Sequence, residues 1–375
     1  MTDATVRRVL IVSHAYVDPA HRGKLRALAA RDLDVTVGVP QRSLEAALNR
    51  TLEVAWERSS GVEIFPVPVR RHRTPQAVRF VTRAFVSLLR DKRPDVLQVE
   101  EEPDTLMGQQ VVHLACRLGL PVVQFIHRNV DVKLPLFARW RRRRALHRIA
   151  GAVAGSEGAA ALLRGEIPTL PVAVIPQLGV QVPPEPEHAL HEGLAIGCVG
   201  RLVPEKGVDT LLQALAENRS ARWHLTVVGD GPDRERLERL ASELRLAARV
   251  RWTGALPPDE LPKIWPELDV LVLPSRGLPT WAERSAHVVA EALANEVTVV
   301  GTTAGATPEV IGDAGLVVPP DDPVALAGAL RRLTSADARR PFAELGRARA
   351  MRLFSDDAVA ERTLEFWRSV LSGGT

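Results

Sequence analysis

The chain has 375 residues, of which 46% are hydrophobic and 25% are charged, and its formal net charge is +4. The length predicts two domains of similar size, and the composition is that of a globular protein, which excludes a disordered or fibrous chain. The two cysteines, Cys116 and Cys198, lie far apart, so they indicate reduced thiols rather than a disulfide framework. The sequence has neither a signal-peptide pattern nor an apolar run long enough to span a membrane, and we expect a cytoplasmic protein.

Short runs rich in β-branched residues alternate with helical segments, a pattern typical of α/β layers with parallel sheets. In the first half we predict strands at residues 9–13, 35–39, 62–66, 96–99, 122–126, 152–155 and 172–175. Residues 177–193 are rich in proline and polar residues and have the composition of a linker. In the second half we predict strands at 194–199, 223–228, 250–253, 270–273, 297–300 and 316–318, followed by helices at 323–334 and 357–370.

This alternation predicts two doubly wound domains that face each other across a cleft. We place the first domain at residues 1–176, the linker at 177–193 and the second domain at residues 194–355. Residues 356–375 are predicted to form a C-terminal helix that packs back on the first domain.

One segment of the first half concentrates positive charge. Residues 137–149 contain six arginines interleaved with Phe137, Trp140, Leu146 and Ile149. Such a mixture can meet acidic lipid headgroups or a phosphorylated acceptor, or it can be a solvated helix face. Nucleic-acid binding would require several aromatic stacking residues along the run, and only Trp140 is obvious. We therefore expect no nucleic-acid partner. We predict that residues 139–148 make a peripheral contact with an anionic membrane at its inner face.

Two cations follow the first strand of the second half. Gly200 permits a sharp turn, and Arg201 and Lys206 lie where the strand meets its helix, just before Gly207. A diphosphate leaving group needs positive charge as its bond breaks, and preorganised cations supply that charge. The alternative is a solvated arginine beside a lysine at a helix start.

Glycines also follow the next strand. Gly229 and Gly231 form only part of a dinucleotide fingerprint, because the third glycine is missing. They indicate a tight turn where backbone can approach a nucleoside. Trp252, near the end of the following strand, could frame the base by stacking.

Two carboxylates bracket the start of an apolar helix after the strand at 270–273. Glu283 is predicted in the loop, and Glu291 in the helix that begins near His287 and Val288. The free N–H groups of a helix's first turn favour a phosphate, and carboxylates on either side can accept hydrogen bonds from sugar hydroxyls. The pattern favours a nucleotide-sugar site, although such a pair alone is more often part of an ordinary amphipathic surface.

The order of these motifs resembles that of retaining glycosyltransferases with the GT-B fold, specifically the large family-four group. The second half carries the closer resemblance, through Gly200-Arg201, Lys206-Gly207, Gly229-Asp230-Gly231-Pro232, Thr253-Gly254, Leu273-Pro274-Ser275, Glu283 and Glu291. The first half resembles the group more loosely, through residues 99–103, 125–129 and 154–157. The resemblance implies two Rossmann-like domains, with the acceptor bound by the first and the nucleotide sugar by the second.

The resemblance also implies a role for each matched position. Arg201 and Lys206 would hold the donor diphosphate, while Glu291 would bind the ribose hydroxyls. Glu283 would bind the hydroxyls of the transferred sugar, and His127 would reach that sugar near its reacting carbon. Without the resemblance, His127 reads as a strand-end histidine hydrogen-bonded to backbone.

The predicted site therefore has three parts. The catalytic residues are His127, Arg201, Lys206 and Glu283. The donor-binding residues are Gly200, Arg201, Lys206, Gly229, Gly231, Trp252, Glu283, His287, Val288 and Glu291. The acceptor side has His21, Arg22 and Arg128. No cofactor and no metal are expected, because the two cations and the helix dipole would replace a metal.

The implied reaction is similar to a front-side displacement, in which the leaving diphosphate helps to deprotonate the incoming hydroxyl. We expect transfer of a hexose-type sugar from a UDP- or GDP-sugar to a hydroxyl acceptor in polysaccharide or glycolipid assembly. The alternatives are a small soluble acceptor such as a secondary metabolite, a donor-binding protein that has lost activity, and a sugar-nucleotide epimerase. A nicotinamide dehydrogenase would need a complete Gly-x-Gly-x-x-Gly after a strand, which the sequence lacks.

Three departures from the family pattern keep the alternatives open, and the first is Gln177-Leu178-Gly179-Val180-Gln181 in place of the family's Asn-Gly-Val-Asp near the linker. Ser285-Ala286 replaces the family's Phe-Gly, whose glycine lets backbone approach the sugar and phosphate. Residues 16–24 replace the glycine-rich loop that helps to seat the acceptor.

Overall fold

The computed structural model describes residues 5–45, 50–71, 78–130, 135–186, 188–189, 191–257, 259–277 and 287–373. Contacts divide the chain into two compact units, one formed by Met1–Gly179 with Asp356–Thr375 and the other by Val180–Ser355. The predicted linker is divided accordingly, since residues 177–179 group with the first unit and residues 180–193 with the second.

The first unit contains twelve strands among its described residues. They are β1 (Arg8–Val12), β2 (Asp34–Pro40), β3 (Arg42–Glu45), β4 (Arg50–Glu53), β5 (Glu57–Ser59), β6 (Val62–Val67), β7 (Val69–Arg71), β8 (Val78–Phe80), β9 (Val96–Val99), β10 (Val122–Ile126), β11 (Gly151–Ala154) and β12 (Val172–Val174). Eight of them form one sheet in the order β12-β11-β10-β9-β1-β2-β6-β5, which is parallel except for β5. The pairs β3–β4 and β7–β8 are small antiparallel sheets.

Five helices lie between these strands in the sequence. They are α1 (Gly23–Ala29), α2 (Thr82–Lys92), α3 (Leu106–Arg117), α4 (Leu136–Leu146) and α5 (Glu157–Glu166). Side-chain caps fix where two of them begin, because Thr105 accepts a hydrogen bond from the N–H of Gly108 and Ser156 accepts one from the N–H of Ala159.

The second unit has a six-stranded parallel sheet. Its strands are β13 (Leu194–Val199), β14 (Trp223–Val228), β15 (Val250–Gly254), β16 (Val270–Leu273), β17 (Thr298–Thr302) and β18 (Gly315–Val318). Its helices are α6 (Val208–Glu217), α7 (Arg234–Glu243), α8 (His287–Ala294), α9 (Thr307–Ile311), α10 (Pro323–Arg332) and α11 (Ala336–Arg349). The order β15-β14-β13-β16-β17-β18 places β13 where the chain reverses direction across the sheet. In doubly wound sheets this switch point is where ligands bind.

The last helix, α12 (Asp356–Leu371), belongs to the first unit, where it packs against α1. Trp367 is fully buried, and its indole N–H donates to the side-chain oxygen of Gln98 at 2.8 Å. No helix among the described residues is both long and apolar enough to cross a membrane.

Both faces of the first sheet are buried. In β1, Val9 and Ile11 join a cluster with residues of α1 and α12, whereas Leu10 and Val12 join a cluster with residues of α2 and α3. Burial on both faces is why these parallel strands appear in the sequence as continuous apolar runs. The predicted α/β fold with two doubly wound sheets is confirmed.

Candidate active site

The switch point of the second sheet is built from close-packed glycine turns. Gly229 follows β14 with φ of 135°, and a Cβ at this position would lie 1.9 Å from the carbonyl oxygen of Gly200. Only glycine permits two backbone turns to approach so closely. The N–H of Leu202 donates to the carbonyl of Asp230 at 2.9 Å, which ties the loop after β13 to the turn that contains Gly231. The structure thus brings together the three predicted glycines.

The loop after β13 presents the two predicted cations. A short 3-10 turn, Pro204–Lys206, ends at Gly207, whose φ of 65° is favourable only for glycine and leads directly into α6. Lys206 folds back over the strand end, since a Cβ on Gly200 would lie 3.8 Å from its Nζ. Arg201 is exposed and has no ion-pair partner in the described part of the chain. Both cations therefore stand at the carboxyl end of β13.

Arg276, in the loop after β16, fixes this cationic loop. Its guanidinium donates to the carbonyl of Pro204 and to Asp209 Oδ1, the latter at 2.9 Å. Its backbone N–H donates to the carbonyl of Glu205 at 2.8 Å. Sequence reasoning missed Arg276, because these partners in the cationic loop lie more than sixty positions away along the chain. It is a positioning residue for Lys206.

Glu291 lies within α8, one helical turn after His287. Its side chain is 25% exposed, and His287 Nε2 lies 3.6 Å from its Oε1. Burial raises the pKa of Glu291 to about 7, so near neutral pH the carboxyl is poised between its two protonation states. Val288 is half-buried and packs against the core formed by β16 and β17. Glu283 and the Ser285-Ala286 departure lie outside the described residues.

Trp252 occupies the edge strand β15. Its indole is half-buried and packs against the core that includes residues of α6 and α7. The neighbouring Thr253 hydroxyl bonds to the carbonyls of Val227 and Gly254. Stacking of Trp252 on a base stays a prediction.

In the first unit, His127 and Arg128 follow β10 in a turn held by one carboxylate. The backbone N–H groups of both residues donate to Glu102 Oε1, at 2.7 and 2.9 Å. The Arg128 guanidinium pairs with Asp104 at 2.7 Å, and the His127 ring packs on Phe125 with 4.6 Å between centroids. The acidic run after β9 was visible in the sequence, but its positioning role was not.

The two remaining residues assigned to the acceptor side lie in the 3-10 turn Pro19–Arg22. His21 Nδ1 is 3.0 Å from the carbonyl oxygen of Ala15. Arg22 is buried, donates through Nε to the carbonyl of Tyr16 at 3.0 Å, and pairs with Glu57 at 2.8 Å. These contacts give Arg22 a structural role, and acceptor contact by either residue stays a prediction.

The switch point of the first sheet lies between β1 and β9 and holds a polar network that sequence reasoning missed. Glu100 is fully buried and accepts hydrogen bonds from Lys24 Nζ at 2.9 Å, Gln98 at 2.7 Å and Gln177 at 3.0 Å. Burial alone would raise the pKa of Glu100, but the Lys24 ammonium and these donors hold it below its ordinary value. The pair is separated by 76 positions, which is why no local pattern indicated it.

A second pair, between exposed His14 and half-buried Glu101, lies beside this network. His14 Nδ1 is 2.6 Å from Glu101 Oε1. The hydrogen bond to Glu101 raises the pKa of His14 above its ordinary value. No group of side chains among the described residues has the arrangement of a metal site.

Both halves of the chain match known protein families. Residues 193–336 match the model of glycosyl transferases group 1, and residues 19–177 match that of the glycosyl transferase 4-like domain. A GDP-mannose-dependent alpha-(1-6)-phosphatidylinositol monomannoside mannosyltransferase of Mycolicibacterium smegmatis is 38% identical over 162 residues, 42% of each chain. A 2-deoxystreptamine glucosyltransferase of Streptomyces kanamyceticus is 38% identical over 153 residues, 36% of this chain and 38% of that protein. The chain thus spans about two fifths of the length of these curated relatives.

Solved structures resemble the whole chain. A sucrose-phosphate synthase from Thermosynechococcus elongatus has a TM-score of 0.73 at 18% identity and covers 98% of this chain and 100% of its own. Anabaena HepE, solved with UDP and glucose, has a TM-score of 0.67 at 15% identity and covers 97% of this chain and 100% of its own. These likenesses show the fold, and it is the GT-B fold of two Rossmann-like units. With both family matches, the chain belongs to the GT-B glycosyltransferases of the family-four, group 1 type.

Proposed function

We propose that the protein transfers a hexose-type sugar from a UDP- or GDP-sugar to a hydroxyl acceptor, with retention of configuration, in polysaccharide or glycolipid assembly. The observation that carries the proposal is the pair of cations, Arg201 and Lys206, at the carboxyl end of β13. This end is the switch point where doubly wound sheets bind nucleotides.

In the proposed reaction, the loop after β13 stabilises the leaving diphosphate. As the bond from the anomeric carbon to the diphosphate oxygen breaks, negative charge grows on the diphosphate, and preorganised cations stabilise it without reorganising. The acceptor oxygen bonds to the anomeric carbon on the same face, and its proton passes to the departing diphosphate. Arg276 supports this step indirectly, because it holds the turn that carries Lys206. The two cations supply the charge that a metal would otherwise provide.

The names of the relatives support UDP- and GDP-sugars as donors. For the acceptor they support two classes, an amphiphile and a small soluble molecule. One relative is named for GDP-mannose and phosphatidylinositol monomannoside, and a structural neighbour was solved with UDP-glucose. These names support a nucleotide-sugar donor and an amphiphilic acceptor. The 2-deoxystreptamine glucosyltransferase supports the second candidate, a small soluble acceptor.

We also propose a peripheral contact between α4 and an anionic membrane. Leu136, Phe137 and Trp140 are 84%, 66% and 57% exposed, and all three lie in the first half of α4. Exposed aromatic and aliphatic side chains beside arginines are typical of helices that lie at a membrane interface. This contact favours the lipid-linked acceptor over the soluble one.

The test is donor hydrolysis and transfer with a panel of UDP-, GDP- and ADP-sugars, followed by NMR of the product. We expect one UDP- or GDP-hexose to be turned over, an anomeric configuration that matches the donor, and activity that persists in EDTA. An inverted product, or loss in EDTA that manganese restores, would contradict the proposed mechanism. Binding of a nucleotide sugar without any turnover would favour a donor-binding protein.

A further inference from the structure

A cavity of about 500 Å³ lies in the first unit between α3 and α4. Four arginines line it, one on β8, two on α4 and one two residues past the end of α4, and they are Arg79, Arg141, Arg144 and Arg148. No aspartate or glutamate lines the cavity, and none of the four arginines has an ion-pair partner among the described residues. The cavity therefore concentrates positive charge that the protein itself does not neutralise.

The arginine run of α4 divides by environment. Arg142 is buried and pairs with Glu166 at 3.0 Å and Glu102 at 3.5 Å, so it anchors the helix. Arg139 and Arg143 are exposed and do not line the cavity. Of the run, only Arg141, Arg144 and Arg148 line the cavity. From the sequence, all six arginines were predicted to form one patch. In the structure one anchors the helix, two are exposed and three line the cavity.

Two residues that line the cavity each have a hydrogen-bond donor with no partner among the described residues. The Nε of Arg141 and the Nε2 of Gln109 are both buried and unsatisfied in the described part of the chain. Buried polar atoms in proteins are nearly always hydrogen-bonded, and a ligand is one of the ordinary reasons for an exception. Both residues line the cavity and carry a donor that the described protein groups leave unused, and an anion with several oxygens would supply the acceptor once either side chain turns toward it.

Beside the cavity α4 exposes aromatic side chains, of which Trp140 also lines it. Phe137 and Trp140 stack with 6.0 Å between ring centroids, and both side chains are exposed. The guanidinium of Arg141 lies 5.1 Å from the Phe137 ring, and that of Arg144 lies 5.7 Å from the Trp140 ring. Stacking of this kind orders the guanidinium groups before a ligand arrives.

We propose that this cavity binds the phosphate group of an anionic amphiphile, whose apolar part lies against Leu136, Phe137 and Trp140. Arginine forks match phosphate oxygens with paired hydrogen bonds, and exposed tryptophan and phenylalanine suit the boundary between headgroups and acyl chains. The inference deepens the proposed membrane contact of α4 and rests on it. It does not require sugar transfer, because the cavity is formed entirely by the first unit.

The test compares two double variants of one helix that remove equal charge. Arg141→Gln with Arg144→Gln alters the cavity, whereas Arg139→Gln with Arg143→Gln alters the exposed face. Flotation is measured with phosphatidylglycerol–phosphatidylcholine vesicles and with pure phosphatidylcholine vesicles, at low and high salt. Salt screens non-specific attraction far more than contacts in a cavity.

At low salt we expect both double variants to bind the anionic vesicles more weakly than the wild type. At high salt the exposed-face variant should match the wild type, whereas the cavity variant should remain weaker by about tenfold for each lost charge-assisted hydrogen bond. Arg141→Lys with Arg144→Lys keeps the charge without the fork and should show the same high-salt loss. This lysine variant keeps the test decisive if the glutamine variant fails to fold.

Equal losses in the cavity and exposed-face variants at both salts would overturn the proposal in favour of a diffuse basic surface. Binding of inorganic phosphate by the wild type and not by the cavity variant, together with no flotation of the wild type on anionic vesicles beyond that on neutral ones, would leave a free-phosphate site and overturn the amphiphile. Donor hydrolysis is recorded for every variant and should not change. A wild type that hydrolyses no donor but shows the expected vesicle pattern would refute the transfer and leave this inference standing.

Discussion

The switch points of the two sheets have the same topology but opposite charge. In the second unit the loop after β13 carries Arg201 and Lys206, and its glycine turns leave backbone close to any ligand. In the first unit the corresponding edge carries Glu100 and Glu101, with Glu100 sealed in a hydrogen-bonded network. The position of a switch point in the fold therefore does not by itself decide which ligand binds there. The second edge suits a diphosphate, whereas the first edge uses its charge to hold its own loops in place.

The first prediction tests the structural role of the first edge. Glu100→Gln would leave the Lys24 ammonium buried beside a neutral amide, and unpairing a buried charge costs about 3–5 kcal/mol. We expect that loss in the free energy of unfolding measured with urea. Arg164→Gln, which breaks the exposed pair with Glu157, is the control and should cost less than about 1 kcal/mol. Similar losses in both variants would mean that the buried pair has no special role.

The second prediction tests the functional role of the second edge. Lys206→Ala should lower transfer by about 10²–10³-fold, because the charge on the leaving diphosphate develops where Lys206 stands. The melting temperature should stay close to that of the wild type. Lys263, an exposed lysine of the same unit paired with Glu260, provides the control, and Lys263→Ala should transfer normally. Full activity in the Lys206 variant would show that this loop does not stabilise the diphosphate.

The third prediction uses the pKa of Glu291, which burial raises to about 7. Ribose hydroxyls donate best to an ionised carboxylate, so donor binding favours the deprotonated form. We expect donor affinity to strengthen as pH rises from about 6 to about 8 and to level off above that range. In Glu291→Gln the affinity should be weaker and should not follow this titration. A pH profile shared by both proteins would assign the titration to another group.

The sequence predicted the regular parts of the fold well. The strand at 194–199 coincides with β13, and that at 223–228 with β14, because buried parallel strands are apolar runs bounded by turn residues. It missed the hairpins β3–β4 and β7–β8, whose short strands are rich in charged residues and lack an alternating pattern. Local propensity has no signal for strands of this kind.

The candidate site divides in the same way. Gly200, Gly229 and Lys206 were predictable, because a turn or a charge directly after a strand is a local feature. Arg276 and the Lys24–Glu100 pair were not, since each acts through partners distant in sequence. Their roles depend on tertiary contacts, which no single sequence displays.

We propose above all that the second switch point binds a nucleoside diphosphate through Arg201 and Lys206. Isothermal titration calorimetry of the full chain with UDP and with GDP, in EDTA, tests this claim directly. We predict that one of the two nucleotides binds the wild type and Lys263→Ala alike, and that Arg201→Ala with Lys206→Ala weakens binding by about a hundredfold. Undiminished binding by the double variant, or binding that appears only when metal is added, would contradict it.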